Sequence, residues 1–202
     1  MNKGNIYIIS GPSGSGKDTI LKEVLKIRND VFFSISEITR DMRNGEVEGE
    51  KYHFISREEF KEKLAKNYFL EYNEYSGNFY GTPKAPIEEH LSEGDDVVIE
   101  CDVNGADALR GLLPDVISVF IMPPSFEVLQ KRLIGRATET AEQVERRMKE
   151  ALNEIRRADE YDYIVVNDDL SVAVEDFITV LKSNKLLLKN QKYLIDEVLK
   201  NA

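Results

Sequence analysis

The chain has 202 residues, of which 42% are hydrophobic, and it carries a formal net charge of −10. This length and composition fit one globular domain with a sizeable core and smaller inserted subdomains. The acidic balance argues against nucleic acid and acidic membranes as partners, because both bind basic surfaces. The only cysteine, Cys101, excludes an internal disulfide. With no signal-peptide pattern and no apolar run of membrane-spanning length, we expect a cytoplasmic protein.

The first predicted element is a buried strand that leads into a glycine-rich turn. Residues 6–9 form an apolar, β-rich run, and apolar residues at helical spacing begin at Ile20. The intervening segment follows the pattern G-x-x-x-x-G-K and consists of Gly11, Pro12, Ser13, Gly14, Ser15, Gly16, Lys17, Asp18 and Thr19. This context predicts a phosphate-binding loop, in which backbone N–H groups surround phosphate oxygens and Lys17 meets the β- and γ-phosphates.

Asp18 departs from that pattern, which has Ser or Thr directly after the lysine. The usual hydroxyl ligates Mg²⁺. A carboxylate can also ligate Mg²⁺, or it can repel the phosphates, and the sequence leaves both open. Thr19 is not a simple substitute, because one residue along a helix is a rotation of about 100°. The alternative for the whole segment is a Gly/Ser-rich turn that binds nothing.

Strands and helices alternate along the later part of the chain. Apolar β-type runs recur at 97–99, 116–121 and 163–166, with helical patterns between most of them. This alternation predicts an α/β fold with a parallel sheet. Ser125 is the expected N-cap of a helix that turns Phe126 inward together with two leucines.

Three helical patterns close the chain. A long amphipathic helix is predicted from residue 142, followed by closing helices at about 170–181 and 186–199. We expect the last helix to pack its apolar stripe on the domain surface. It is also a candidate interface for a homodimer.

Residues 34–95 break the alternation, because they are richer in Tyr, Phe, Gly and Glu. We therefore predict a core of 1–33 and 96–202, an inserted subdomain at about 34–95 and a lid at about 132–147. Helices are predicted in the insertion at 57–66 and 83–91. An insertion with a short, Arg-flanked lid is the layout of a kinase that closes over two substrates.

Several short stretches of the sequence resemble the guanylate kinase family, and together they cover nearly the whole chain. They lie at 34–54, 69–71, 77–82, 100–105, 123–125, 132–138 and 167–169. Each is weak alone, but their order and spacing together are specific. The resemblance implies a P-loop NTPase-type parallel sheet flanked by helices, with an inserted GMP-binding subdomain and a short lid. It also implies transfer of the γ-phosphoryl group of Mg-ATP to GMP.

The resemblance implies site residues as well. For GMP they are Ser36, Arg40, Arg43, Tyr52, Glu71, Tyr80, Thr82, Glu100 and Asp102. For ATP they are, besides the loop, Arg132, Arg136 and Asn167. The catalytic residues would be Lys17, Arg43, Arg136 and Arg147, which stabilise the negative charge of the transferred phosphoryl group. Mg²⁺ would lie near Asp18 and Asp102, bound directly or through water.

Glu71 and Thr82 would read the guanine base. Guanine presents its N1–H and 2-amino groups as two parallel donors, and a carboxylate is the natural acceptor for them. Adenine would leave Glu71 unpaired, so such a site discriminates strongly.

The sequence also departs from the family pattern at Glu37 and Ile38, beside the predicted GMP arginines, and mildly in the lid at Ala137, Glu139 and Thr140. Two other functions remain in view. A guanylate-kinase-like binding module without catalysis should lack the lysine and paired arginines that are present here. A related kinase acting on a sugar phosphate would have no use for Glu71 and Thr82.

Overall fold

The computed structural model describes residues 3–43, 45–75, 77–134 and 141–200. Its elements, in chain order, are β1 (Ile6–Ser10), α1 (Lys17–Ile27), β2 (Val31–Phe33), β3 (Ser36–Ile38), β4 (Tyr52–Phe54), α2 (Arg57–Ala65), β5 (Phe69–Tyr75), β6 (Asn78–Pro83), α3 (Lys84–Glu93), β7 (Asp96–Glu100), α4 (Val103–Leu112), β8 (Ile117–Met122), α5 (Phe126–Ile134), α6 (Ala141–Ile155), β9 (Tyr163–Val166), α7 (Leu170–Lys185) and α8 (Leu188–Lys200). Within these ranges, no helix combines the length and the apolar composition that a membrane span requires.

A five-stranded parallel sheet forms the centre of the molecule, in the order β2-β7-β1-β8-β9. The strand that leads into the glycine loop therefore lies in the middle, where both of its edges are paired. This architecture confirms the predicted α/β class. β2 was not predicted as a strand, because its three residues are too short to show a period.

Helices pack on both faces of this sheet, which explains why its strands are mostly apolar rather than alternating. Tyr7 and Ile9 of β1 pack into one cluster with residues of α1 and α7. Ile8 points to the opposite face and packs with Ile87 and Leu91 of α3 and with residues of α4.

A second, four-stranded sheet lies in the inserted segment, in the order β4-β3-β6-β5. Its strands β3 and β4 are parallel, and the other pairs are antiparallel. Phe60 of α2 is fully buried and stacks on Phe69 and Phe79, with ring centroids 4.4 and 5.2 Å apart. The insertion therefore has a small aromatic core of its own, while α3 packs on the central sheet. The domain boundaries themselves stay a prediction.

Two predictions about helix faces are wrong. Phe126 is 45% exposed, because the first turn of α5 lies outside the cluster that Leu129 and Leu133 form with α6. No residue of α8 is buried, and Leu188 and Val198 are each 69% exposed. Polar contacts fix its first turn instead, through Lys189 to Asp115. The homodimer stays a prediction.

Candidate active site

The glycine loop is shaped by close contacts that leave no room for side chains. Gly16 adopts a left-handed conformation, with φ of 92°, at the N-cap of α1. A Cβ atom on Gly16 would lie 2.1 Å from the amide nitrogen of Asn167, and one on Gly11 would lie 2.4 Å from the carbonyl oxygen of Ile121. Glycine is therefore required at both positions, and the loop wraps around the N-terminus of α1.

Two cationic side chains lie on this loop. Lys17 donates hydrogen bonds from Nζ to the carbonyl oxygens of Gly11, at 2.6 Å, and Pro12, at 3.4 Å. Arg147 of α6 donates from Nη2 to Oγ of Ser13 at 2.6 Å. The loop thus gathers positive charge from two helices at the N-terminus of α1, which suits a phosphate group.

Asn167, which directly follows β9, and Arg132 of α5 support the same loop. The side chain of Asn167 is only 6% exposed and donates to the carbonyl oxygen of Ser15 at 2.7 Å. Arg132 donates from Nη2 to the backbone oxygen of Asn167 at 3.0 Å. These contacts brace the loop. Binding of ATP by either residue stays a prediction, and Arg136 lies outside the described residues.

The predicted GMP-phosphate residues collect around Arg40. Arg40 forms a two-bond pair with Glu46, at 2.7 and 2.6 Å, and its guanidinium lies 5.4 Å from the ring centre of Tyr52. The Tyr80 ring lies edge-on to Tyr52, 6.4 Å away. The Arg40 hydrogen bonds lower the pKa of Glu46 to about 2 against the effect of its burial. Glu46 thus holds Arg40 charged and oriented.

Of the other two predicted residues, Ser36 lies beside Tyr52 and Arg43 lies on the neighbouring loop. Ser36 pairs with Tyr52 across the register of β3 and β4, so it lies beside the aromatic cluster. Arg43 is exposed, and its backbone N–H donates to Oε2 of Glu46 at 2.7 Å. The structure thus brings Ser36, Tyr52, Tyr80 and Arg40 together, and places Arg43 on the adjoining loop.

The two predicted guanine-reading residues are brought together by strand pairing. Glu71 of β5 lies opposite Thr82 of β6, and Oγ1 of Thr82 donates to Oε1 of Glu71 at 2.6 Å. Burial raises the pKa of Glu71, with Thr82 opposing and the negative charge of Asp102 adding to the shift. Helix α4, which begins directly after Asp102, packs against β5, so this pair lies near the carboxyl end of β7.

The three predicted acids, Asp18 of α1 and Glu100 and Asp102 at the end of β7, have different partners. Asp102 caps α4, accepting from the N–H of Gly105 at 2.7 Å. Glu100 and Asp18 instead share the ammonium of Lys51, which lies 2.9 and 2.5 Å from their oxygens. The two carboxylates already hold one cation between them, and oxygen donors of this kind fit Mg²⁺. The Lys51 ammonium also offsets the negative charge of Asp18, which reduces its repulsion of a phosphate on the loop.

Sequence reasoning missed two residues of this site. Lys51 gave no local signal, because its partners lie far away along the chain. The charges of Lys17 and Asp102 influence the pKa of Glu154. Its position could have been predicted from the sequence, because it lies two helical turns after Arg147, on the same face of α6.

The pH dependence of stability should report on Glu154. Burial raises its pKa from 4.5 to about 7, with Lys17 opposing and Asp102 and Glu150 adding to the shift. Between those values the folded state holds a proton that the unfolded state has lost, so stability falls as pH rises through this window. At pH 8 we expect the free energy of unfolding of Glu154→Gln, measured by urea denaturation, to exceed that of the parent by about 1–2 kcal/mol, after discounting for solvent screening.

At pH 4.5 the same substitution should change the free energy of unfolding little, because both carboxyl and amide are then neutral. Glu175→Gln, at an exposed position of α7, is the matched control. An equal effect of Glu154→Gln on the free energy of unfolding at both pH values would contradict a raised pKa of Glu154.

A strand, a glycine loop and a helix N-terminus in the middle of a parallel sheet, with a lysine on the loop, define a P-loop nucleotide-binding protein. The family model described as guanylate kinase matches residues 3–184. The chain is 44% identical over 195 residues to a guanylate kinase of Carboxydothermus hydrogenoformans, covering 96% of each. It is 45% identical over 185 residues to one of Clostridium tetani, covering 92% of this chain and 88% of that protein.

The crystal structure of guanylate kinase from Anaplasma phagocytophilum matches with a TM-score of 0.76 at 31% identity. That match covers 92% of this chain and 88% of the other. The chain belongs to the guanylate kinase family.

Proposed function

We propose that this chain transfers the γ-phosphoryl group of Mg-ATP to GMP, giving ADP and GDP, in purine nucleotide metabolism. The observation that carries the choice of acceptor is the Glu71–Thr82 pair, hydrogen-bonded at 2.6 Å. The hydroxyl holds one carboxylate oxygen, so the carboxylate is oriented before a base arrives. Such a carboxylate accepts from the two parallel donors of guanine, which adenine lacks.

The reaction needs no nucleophile from the protein. An oxygen of the GMP phosphate attacks the γ-phosphorus, and the bond from that phosphorus to the β,γ-bridging oxygen breaks, so ADP leaves with the electron pair. Lys17, Arg43, Arg136 and Arg147 stabilise the charge that spreads over the transferred oxygens. Arg40, Ser36, Tyr52 and Tyr80 position the acceptor phosphate.

Mg²⁺, when bound, neutralises charge on the β- and γ-phosphates. Asp18 and Glu100 fit it best, because their carboxylates already converge on one cation. Asp102 has one oxygen committed to capping α4, so its proposed contact with Mg²⁺ would use its other oxygen or a water. The single cysteine supports the further proposal of a cytoplasmic location, and the net charge of −10 supports small nucleotides rather than nucleic acid as partners.

The acceptor specificity can be measured directly. We expect ADP formation from Mg-ATP with GMP to exceed that with AMP, CMP or UMP by at least about a thousandfold in kcat/KM, because a guanine edge alone satisfies Glu71. A reaction without acceptor gives the background. Calorimetric GMP binding without turnover would identify a binding module instead, and turnover of a sugar phosphate in place of GMP would identify the other kinase.

A further inference from the structure

One lysine outside both predicted nucleotide sites joins the inserted segment to the phosphate loop. Nζ of Lys51 lies 2.5 Å from Oδ1 of Asp18 and 2.9 Å from Oε2 of Glu100. Asp18 is the second residue of α1, and Glu100 is the last residue of β7. Lys51 directly precedes β4, whose first residue is Tyr52. A single ammonium group therefore links the two core elements to the segment that carries the predicted GMP site.

The two carboxylates depend on this ammonium for compensation. The Glu100 side chain is 11% exposed, so water screens its charge poorly, whereas Asp18 is 65% exposed. Burial raises the pKa of Glu100, the positive charges of Lys51 and Lys17 oppose this, and Asp18 adds to it. Without the ammonium, two like charges would face each other at close range.

Lys51 itself stays charged at neutral pH. Burial favours its neutral form, but Glu100, Tyr52 and Asp18 outweigh burial and hold the pKa of Lys51 above its usual range. The ammonium is thus a permanent cation at this point, held by oxygens on two sides.

A divalent cation requires the same oxygens. Mg²⁺ and Mn²⁺ bind carboxylate oxygens, and a cation cannot take both carboxylates while the ammonium of Lys51 lies between them. We propose that Lys51 is a resident cation which competes with the divalent metal for Asp18 and Glu100, and which must leave them when the metal binds there. Metal binding would then release the inserted segment from the phosphate loop.

The role of this exchange in catalysis rests on the proposed function, but the exchange itself does not. It can be measured on the full chain without nucleotide, by titration with Mn²⁺ at pH 8 while the electron paramagnetic resonance signal of free Mn²⁺ is recorded. We expect Lys51→Met to bind Mn²⁺ at least about tenfold more tightly than the parent, because the competitor is gone. Lys51→Arg keeps a cation and should bind like the parent. Adding Asp18→Asn to Lys51→Met should abolish the gain.

Lys63→Met is the matched control, because Lys63 also bridges two carboxylates of the inserted segment, Glu37 at 2.9 Å and Glu59 at 3.0 Å. Lys63→Met should leave Mn²⁺ affinity unchanged. Equal Mn²⁺ affinities of Lys51→Met and the parent, or an equal gain in Lys63→Met, would overturn the proposal.

A second measurement needs no variant and decides the matter if Lys51→Met fails to fold. Acetylation of lysines in the parent chain, read by mass spectrometry, should modify Lys51 at least about threefold faster with saturating Mg²⁺ than without it. The rate at Lys63 should not change. A rate at Lys51 that does not respond to Mg²⁺ or Mn²⁺ would refute the displacement, whatever the GMP kinase assay shows.

Discussion

Replacing Lys17 by Met should lower kcat for phosphoryl transfer to GMP by about a thousandfold, or about 4 kcal/mol of transition-state stabilisation. The ammonium lies on the loop carbonyls of Gly11 and Pro12, at the N-terminus of α1. When a nucleotide is bound there, the Lys17 ammonium would contact the β- and γ-phosphate oxygens, on which negative charge redistributes during transfer. Since the proposed GMP site lies in the inserted segment, we expect the Kd of GMP to change less than threefold. Steady-state kinetics and calorimetry with GMP measure the two quantities.

Lys22→Met is the control for this substitution. Lys22 lies on the same helix but is exposed to solvent, so its loss changes the net charge equally without touching the loop. We expect kcat of Lys22→Met to stay within twofold of the parent. If Lys17→Met kept kcat within tenfold, another cation would have to supply the charge that we assign to Lys17.

The phosphate loop was predictable because its signals are local. The spacing of Gly11, Gly16 and Lys17 between an apolar strand and a helix is written in a short stretch, and the left-handed conformation at Gly16 is one that glycine adopts without cost. The predicted parallel sheet followed from the same kind of local pattern. A strand can be predicted from its apolar pattern when it is about four residues or longer. The three residues of β2 are too few to show such a pattern.

The charge environment of Asp18 was not predictable, because its partner Lys51 is 33 positions away along the chain. Read alone, a carboxylate beside a phosphate loop is ambiguous between a metal ligand and a repulsive charge. In the folded chain, Lys51 of the inserted segment forms an ion pair with Asp18 and so offsets its negative charge. The apolar stripe of α8 shows a different limit of local patterns. Its helical spacing predicted the helix correctly, but it could not predict whether the stripe packs against the rest of the chain.

Glu71→Gln should lower kcat/KM for GMP by at least about a hundredfold, because an amide cannot accept from both guanine donors at once. The remaining oxygen accepts one bond, while the NH₂ group faces a donor of the base. The position of the side chain should persist, since Thr82 can still donate to the amide oxygen in place of Oε1. Discrimination between GMP and AMP should therefore fall, with kcat/KM for AMP unchanged or raised. The ratio of the two kcat/KM values is the measurement.

Glu74→Gln provides the comparison, because Glu74 lies on the same strand, 54% exposed, with its side chain on the opposite face from Glu71. Its substitution removes the same charge from β5 and should leave the GMP-to-AMP ratio unchanged. A general electrostatic role of β5 predicts equal losses in the two variants, whereas base reading predicts a loss in Glu71→Gln alone. A Glu71→Gln enzyme with the parent ratio would therefore remove Glu71 from the base-reading site, and leave the choice of guanine to groups that contact its other edge.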